Sequence, residues 1–75
     1  MHRMNKEMED FILKGEYIKL CQLMKAADLI DDGSDAKFEI MEGNVKVNGE
    51  TASERGKKIK KGDVVEFKGR IINVH

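Results

Sequence analysis

Cysteine, aromatic residues and long apolar runs are all scarce in this sequence of 75 residues. Its single cysteine, Cys21, excludes a disulfide within the chain, and its place in an apolar stripe at helical spacing predicts a small core residue. The aromatic side chains are one tyrosine and three phenylalanines. An aliphatic and thin core is therefore expected, without an enclosed pocket for a small-molecule substrate.

The apolar stretches are too short for a membrane protein. None approaches the ~20 residues that a transmembrane helix needs, and the segment Met1–Glu7 lacks the apolar core of a secretory signal. We therefore expect a cytoplasmic protein without a membrane partner. A chain of this length forms one domain, predicted over residues 9–75 as a monomer, with residues 1–8 as a poorly ordered extension.

Charge is balanced overall but is unevenly distributed. The formal net charge is zero, with 14 basic and 14 acidic side chains. Residues 1–42 contain six basic and ten acidic residues, whereas residues 43–75 contain eight basic and four acidic ones. This asymmetry predicts a polar molecule with one basic face.

One stretch has the local signals of a helix that ends at a glycine. Ser34 is predicted to cap the helix, Asp35 adds negative charge to its first turn, and Ala36 and Ile40 share one face. Gly43 can adopt the left-handed conformation that commonly ends helices. The helix is therefore predicted to end there.

A strand and a tight turn follow directly. Val45 and Val47 point to one side and Lys46 to the other, which is the alternation of a strand. Asn48-Gly49 is the strongest short-range signal for a hairpin. The order helix, glycine, strand and turn is found in few small folds.

The other predicted elements complete a small α+β domain. They are a helix over Lys19–Asp28, an edge strand over Asp10–Lys14, a hairpin of Asp63–Phe67 and Arg70–Val74 turning at Lys68-Gly69, and a polar loop over Thr51–Gly62 anchored by Ile59. Two short helices are expected to pack on one face of a small twisted antiparallel sheet.

Three segments together resemble the S4 RNA-binding domain, and in particular its small stand-alone bacterial forms. They are Leu20-x-x-Leu23-Met24-Lys25, then Ala36-Lys37-x-x-Ile40-x-x-Gly43-x-Val45-x-Val47-Asn48-Gly49, then Lys61-Gly62-Asp63-Val64-Val65. The resemblance implies an S4-like fold with an alpha-L motif. It also implies a helix pair and an adjacent loop that bind structured, often ribosomal, RNA without catalysis.

The segment of residues 55–61, here called the basic loop, is the strongest candidate for that contact. It has five cations in seven residues around Gly56, and such side chains bind phosphate through charge and counterion release. Lys25, Lys37 and Lys46 are predicted to converge beside it. The candidate RNA-binding residues are Lys25, Lys37, Lys46, Asn48, Arg55, Lys57, Lys58, Lys60 and Lys61.

Two candidate residues allow a second interpretation each. Asn48 is first a turn residue, with an amide contact to RNA as the lesser alternative. Tyr17 is interpreted as a core residue, with stacking on an unpaired base as its alternative.

The sequence has no recognisable catalytic or metal-binding pattern. The two histidines stand near the chain ends, Cys21 has no zinc-type spacing around it, and Asp31-Asp32 is better explained as a turn. We expect no enzyme, no cofactor and no metal. The alternative function is a small protein–protein interaction module without direct RNA contact.

Overall fold

A computed structural model describes residues 7–31 and 33–75 of the chain. In chain order its elements are β1 (Glu7–Phe11), β2 (Ile18–Lys19), α1 (Leu20–Ala26), α2 (Gly33–Met41), β3 (Val45–Val47), β4 (Glu50–Thr51), β5 (Lys58–Ile59), β6 (Val64–Phe67) and β7 (Arg70–Val74). Residues 1–6 of the predicted extension lie outside the described residues, whereas Glu7 and Met8 belong to β1.

Both predicted helices are present with shifted ends. α1 is shorter than the predicted Lys19–Asp28, because the backbone leaves the helix at Ala27 and Asp28 adopts a positive φ of 62°. α2 begins at Gly33, so Ser34 lies in its first turn and is not the N-cap. Several polar residues precede α2, and each could cap it, so the local pattern does not fix the first helical residue.

The C-terminus of α2 has the predicted glycine cap. Gly43 has a φ of 81°, its N–H donates to the Ile40 carbonyl at 3.1 Å, and the Asn44 N–H donates to the Glu39 carbonyl at 3.0 Å. These two bonds are those of a Schellman motif. The prediction that the helix ends at a left-handed glycine is confirmed.

Replacing this glycine should cost stability without touching the basic loop. Gly43→Ala is expected to lower the free energy of unfolding by about 1 kcal/mol, because a side chain disfavours the left-handed backbone. A Cβ there would meet only the Thr51 Cγ2 at 3.8 Å, an ordinary contact. Urea denaturation measures the effect, and Gly56→Ala, whose Cβ would meet nothing within 4 Å, is the control. Equal stability of both variants would contradict the backbone explanation.

Five strands form one mixed sheet in the order β1-β7-β6-β3-β4. The four strands from β7 to β4 are antiparallel neighbours, as predicted, but β1 runs parallel to β7. The strand predicted at the edge of the sheet is present, but it spans Glu7–Phe11 and so begins and ends three residues earlier than the predicted Asp10–Lys14. Since no tight turn joins β1 to β7, local sequence does not constrain their relative direction.

Two hairpins turn where the sequence predicted. Asn48 and Gly49 have φ values of 53° and 86°, and Lys68 and Gly69 have values of 48° and 83°. Positive φ at both central residues is the backbone of the type I′ turn, which matches the twist of the paired strands.

One mainly aliphatic core joins the helices to the sheet. Its buried members are Leu13, Leu20, Leu23, Met24, Ala36, Ile40, Val45, Val47, Ala52, Ile59, Val65, Phe67, Ile72 and Val74. Cys21 is half-buried and packs against this cluster, which agrees with its interpretation as a small packing residue.

Arg70 connects three elements at the edge of the core. Its guanidinium forms a two-pronged ion pair with Glu9 of β1, at 2.6 and 2.8 Å, and donates to the Ala27 and Asp28 carbonyls at the end of α1. The hydrogen bond from Arg70, more than its charge, lowers the pKa of the Glu9 carboxyl against a smaller opposing effect of desolvation. The carboxylate form is therefore favoured in the folded state.

This pair should make stability depend on pH. Because the pKa of Glu9 is lower in the folded than in the unfolded protein, its contribution is complete above the unfolded value and is lost as the pH falls through the folded value. Glu9→Gln should thus have a lower urea midpoint than the parent at pH 7, and the gap should narrow as the pH is lowered toward 3. Glu50→Gln, an exposed residue of β4, is the control. A gap that persists unchanged at pH 3 would contradict this role of Glu9.

Candidate nucleic-acid interface

The basic loop has a defined backbone. The sequence predicted only a loop over Thr51–Gly62, but β4 occupies its start and β5 lies within it, paired with β2 in a separate antiparallel two-stranded sheet. Ile59 is fully buried, as predicted, whereas the cationic residues around it are exposed. Those exposed residues are Arg55, Lys57, Lys58, Lys60 and Lys61.

Hydrogen bonds hold this loop against the start of α1. The Leu20 N–H donates to the Lys57 carbonyl at 2.8 Å, and the Cys21 N–H donates to the Arg55 carbonyl at 3.0 Å. Two N–H groups of the first helical turn, which have no partner within the helix, are satisfied in this way. The cationic side chains therefore project from a backbone that is already ordered, which reduces the entropic cost of binding an anion.

Lys19 joins the cations of the loop through the pairing of β2 with β5. It lies directly opposite Lys58 in the register, and both side chains are exposed. Like charges at opposed positions of a ladder destabilise it. An anion bound between them would remove this cost, so the pair favours a polyanionic ligand.

Lys19 was not among the RNA-binding residues predicted from the sequence, because a strand of two residues has no periodicity from which its pairing with β5 could be predicted.

Tyr17 lies beside this pair and not in the core. The residue is 43% exposed, and the Lys58 Nζ lies 4.9 Å from the ring centroid, within the range of a cation–π contact. The interpretation of Tyr17 as a core residue is therefore wrong. The half-buried Ile18 and the buried Leu20 occupy the inward positions next to it instead.

Lys46 lies on the other side of the sheet from the helices that carry Lys25 and Lys37. Lys25 and Lys37 are exposed residues of α1 and α2. Lys46 is exposed between the buried Val45 and Val47, so it is directed to the face of the sheet opposite the core and the helices. The sheet thus separates Lys46 from the other two lysines, which corrects the prediction of one shared patch.

Asn48 has a structural role in the turn. Its backbone N–H donates to the Val64 carbonyl at 2.7 Å, its Oδ1 accepts the Val64 N–H at 2.9 Å, and its Nδ2 donates to Asp63 at 3.1 Å. Asp63 in turn accepts the Lys60 N–H at 2.8 Å. Asn48 is a turn residue, as predicted, and it also supports the end of the basic loop through Asp63.

Acidic side chains collect at the opposite end of α1. Asp28 follows the last turn of that helix, and Asp31, Asp35 and Glu39 lie with it around an open depression of about 240 Å³. A hydrogen bond from Asn44, and to a smaller extent the contact with Lys68, lowers the pKa of Glu39 against an opposing effect of desolvation. The molecule thus carries cations near the first turn of α1 and carboxylates after its last turn.

Two further features are absent from the part of the chain that the structure describes. No group of three or more His, Cys, Asp or Glu side chains there could hold a metal ion. No helix in the same part has the length and apolar character needed to cross a membrane.

The arrangement is that of a small α+β domain with a helix pair and an adjacent loop of ordered cations, a class of nucleic-acid-binding module. The chain belongs to the S4 domain family, whose model matches residues 11–75. The resemblance noted in the sequence is thereby confirmed.

Relatives of this chain are similarly small. RlbA of Bacillus subtilis, named as a probable ribosome maturation protein, is 46% identical over 54 residues, which are 72% of this chain and 76% of RlbA. YbcJ of Escherichia coli is 36% identical over 61 residues, which are 81% of this chain and 87% of YbcJ.

The solution structure of YbcJ, described as revealing an alpha-L motif involved in RNA binding, matches this fold with a TM-score of 0.64 at 35% identity, covering 99% of this chain and 94% of that one.

Proposed function

We propose that this protein binds structured RNA, including ribosomal RNA, through the basic loop and Lys19, and that it has no catalytic activity. The observation that carries the proposal is the Lys19–Lys58 pair, two exposed like charges held opposite each other beside further ordered cations. The phosphates of RNA supply the neutralising charge. Tyr17, Lys19, Arg55, Lys57 and Lys58 are called the β2–β5 surface from here on.

The remaining candidate residues extend the proposal outward from this surface. Lys60 and Lys61 continue the basic loop, and Lys25 and Lys37 on the helices would contact a backbone that passes over α1 and α2. Lys46 faces Glu66 in the register of β3 and β6, so it would add least. Asn48 acts by supporting the loop.

The names of the relatives support an RNA ligand of this kind. RlbA is named for ribosome maturation and YbcJ is described with an RNA-binding motif. A ribosomal RNA ligand would place this protein in the cytoplasm, where ribosomes are assembled, and a single copy of the domain would suffice for binding.

Binding should be strongly salt-dependent. Each phosphate neutralised by Lys or Arg contributes roughly 0.7 to 0.9 to the magnitude of the slope of log K against log salt, so four or five contacts give a slope of about −3 to −4.5. Fluorescence anisotropy with a labelled ribosomal RNA hairpin at increasing potassium chloride measures this slope. An affinity that does not change between low and physiological salt would contradict phosphate binding.

A second candidate function is a protein-interaction module, favoured by the outer face of α2. Phe38 and Met41 are 61% and 70% exposed there, and the acidic Asp35 and Glu42 flank Phe38 at helical spacing. The charge complement of this face is a basic protein segment. Phe38→Ser with Met41→Ser should bind free RNA like the parent. A loss of binding to purified ribosomal particles with RNA affinity intact would assign the contact to this face.

A further inference from the structure

We propose that Tyr17 stacks on an unpaired base of the bound RNA while Lys19 and Lys58 hold the adjoining phosphates. The β2–β5 surface would then select RNA with unpaired nucleotides over continuous duplex. This inference rests on the proposed RNA-binding function and specifies the ligand of that same surface.

The placement of the ring follows from strand geometry. Gly15, with a φ of 102°, turns the chain after β1, and Tyr17 immediately precedes β2. Side chains alternate along an extended backbone, so Tyr17 and Lys19 point to the same side while Ile18 points inward. Lys58, opposite Lys19, approaches the Tyr17 ring from the neighbouring strand. One aromatic ring and two ammonium groups therefore share a small area.

The exposure of Tyr17 leaves its ring available to a ligand. The residue is 43% exposed and lies outside the core cluster, against which its neighbour Ile18 packs. The Lys58 ammonium lies over one face of the ring, 4.9 Å from its centroid, so an unpaired base would stack on the opposite face. Stacking on an aromatic face beside a positive charge is the common means by which proteins hold single-stranded nucleic acid.

Such a site discriminates between forms of RNA. In a continuous duplex the bases are stacked on each other and present only their edges in the grooves, whereas loops, bulges and ends have bases that can stack on a protein ring. Cations alone would bind both forms. The ring adds affinity for the unpaired form only.

The experiment compares two RNAs of equal length: a hairpin with an unpaired loop and a fully paired duplex. Tyr17→Leu is expected to bind the hairpin roughly tenfold more weakly than the parent and the duplex less than twofold more weakly. Tyr17→Phe, which keeps the ring, should bind both as the parent does. Circular dichroism and thermal midpoint should be unchanged in both variants, since the ring lies outside the core.

Fluorescence supplies a direct second measurement. Tyr17 is the single tyrosine and the chain has no tryptophan, so its emission reports on this ring alone. Saturating hairpin should quench that emission, and saturating duplex should leave most of it. Equal affinities of Tyr17→Leu and the parent for the hairpin, or unquenched emission at saturation, would overturn the inference and leave the proposed function standing. Failure of the parent to bind either RNA would overturn both.

Discussion

Lys57→Ala with Lys58→Ala should weaken binding to structured RNA by about tenfold to thirtyfold at low salt while leaving the thermal midpoint nearly unchanged. Exposed ion pairs contribute at most about 1 kcal/mol each, so two lost phosphate contacts of roughly 0.7 to 1 kcal/mol give this range. The slope of log K against log salt should become shallower by about 1.5.

The stability of this double variant follows from the contacts of each lysine. Lys57 holds α1 through its backbone carbonyl, which alanine retains. Loss of Lys58 removes its contact with the Tyr17 ring but also its repulsion with Lys19, and these changes oppose each other. Binding and stability should therefore respond independently.

A control variant separates the position of the charge from its amount. Lys14→Glu changes the net charge by the same two units as the double alanine variant, and Lys14 is exposed in the connection between β1 and β2. It should reduce RNA affinity far less than the double variant. Equal losses of RNA affinity would mean that binding depends only on the net charge of the protein. The basic loop would then be a solvated connection without a specific role in binding.

The features that could be predicted from the sequence are those fixed by neighbouring residues. Gly43 predicted the end of α2, the alternation of Val45 and Val47 predicted β3, and the two-residue turn signals predicted both hairpins. Each signal comes from the backbone preference of a few adjacent residues, so the structure that it predicts does not depend on tertiary contacts. Ile59 was predicted as an anchor because it is the one large apolar residue in a polar stretch.

The features that were missed depend on distant partners. β1 pairs with the other end of the chain, and β2 pairs with β5 across about 40 residues, so neither pairing has a local signal. Tyr17 was assigned to the core by residue type alone, and Lys19 was hidden in the predicted helix. Much of the β2–β5 surface is therefore a product of tertiary structure.

Ile59 connects that surface to the core, and Ile59→Ala should be among the most destabilising single changes. The side chain is fully buried although Lys58 and Lys60 on either side are exposed. Truncating a buried isoleucine to alanine costs about 2 to 4 kcal/mol through lost burial and a residual cavity. A domain of this size has roughly 4 to 11 kcal/mol in total. The thermal midpoint should fall by at least about 10 °C.

The same change should also weaken RNA binding by the folded fraction, because β5 loses the contact that fixes the basic loop on the core. Ile59→Val, which removes one methyl group, should cost about 0.5 to 1.5 kcal/mol and preserve binding. Ile72→Ala is the matched control: Ile72 is 1% exposed and lies on β7, outside the basic loop. It should destabilise the fold comparably and leave the RNA affinity of the folded fraction near that of the parent. If both alanine variants lost the same affinity, anchoring by Ile59 would not be what positions the cations.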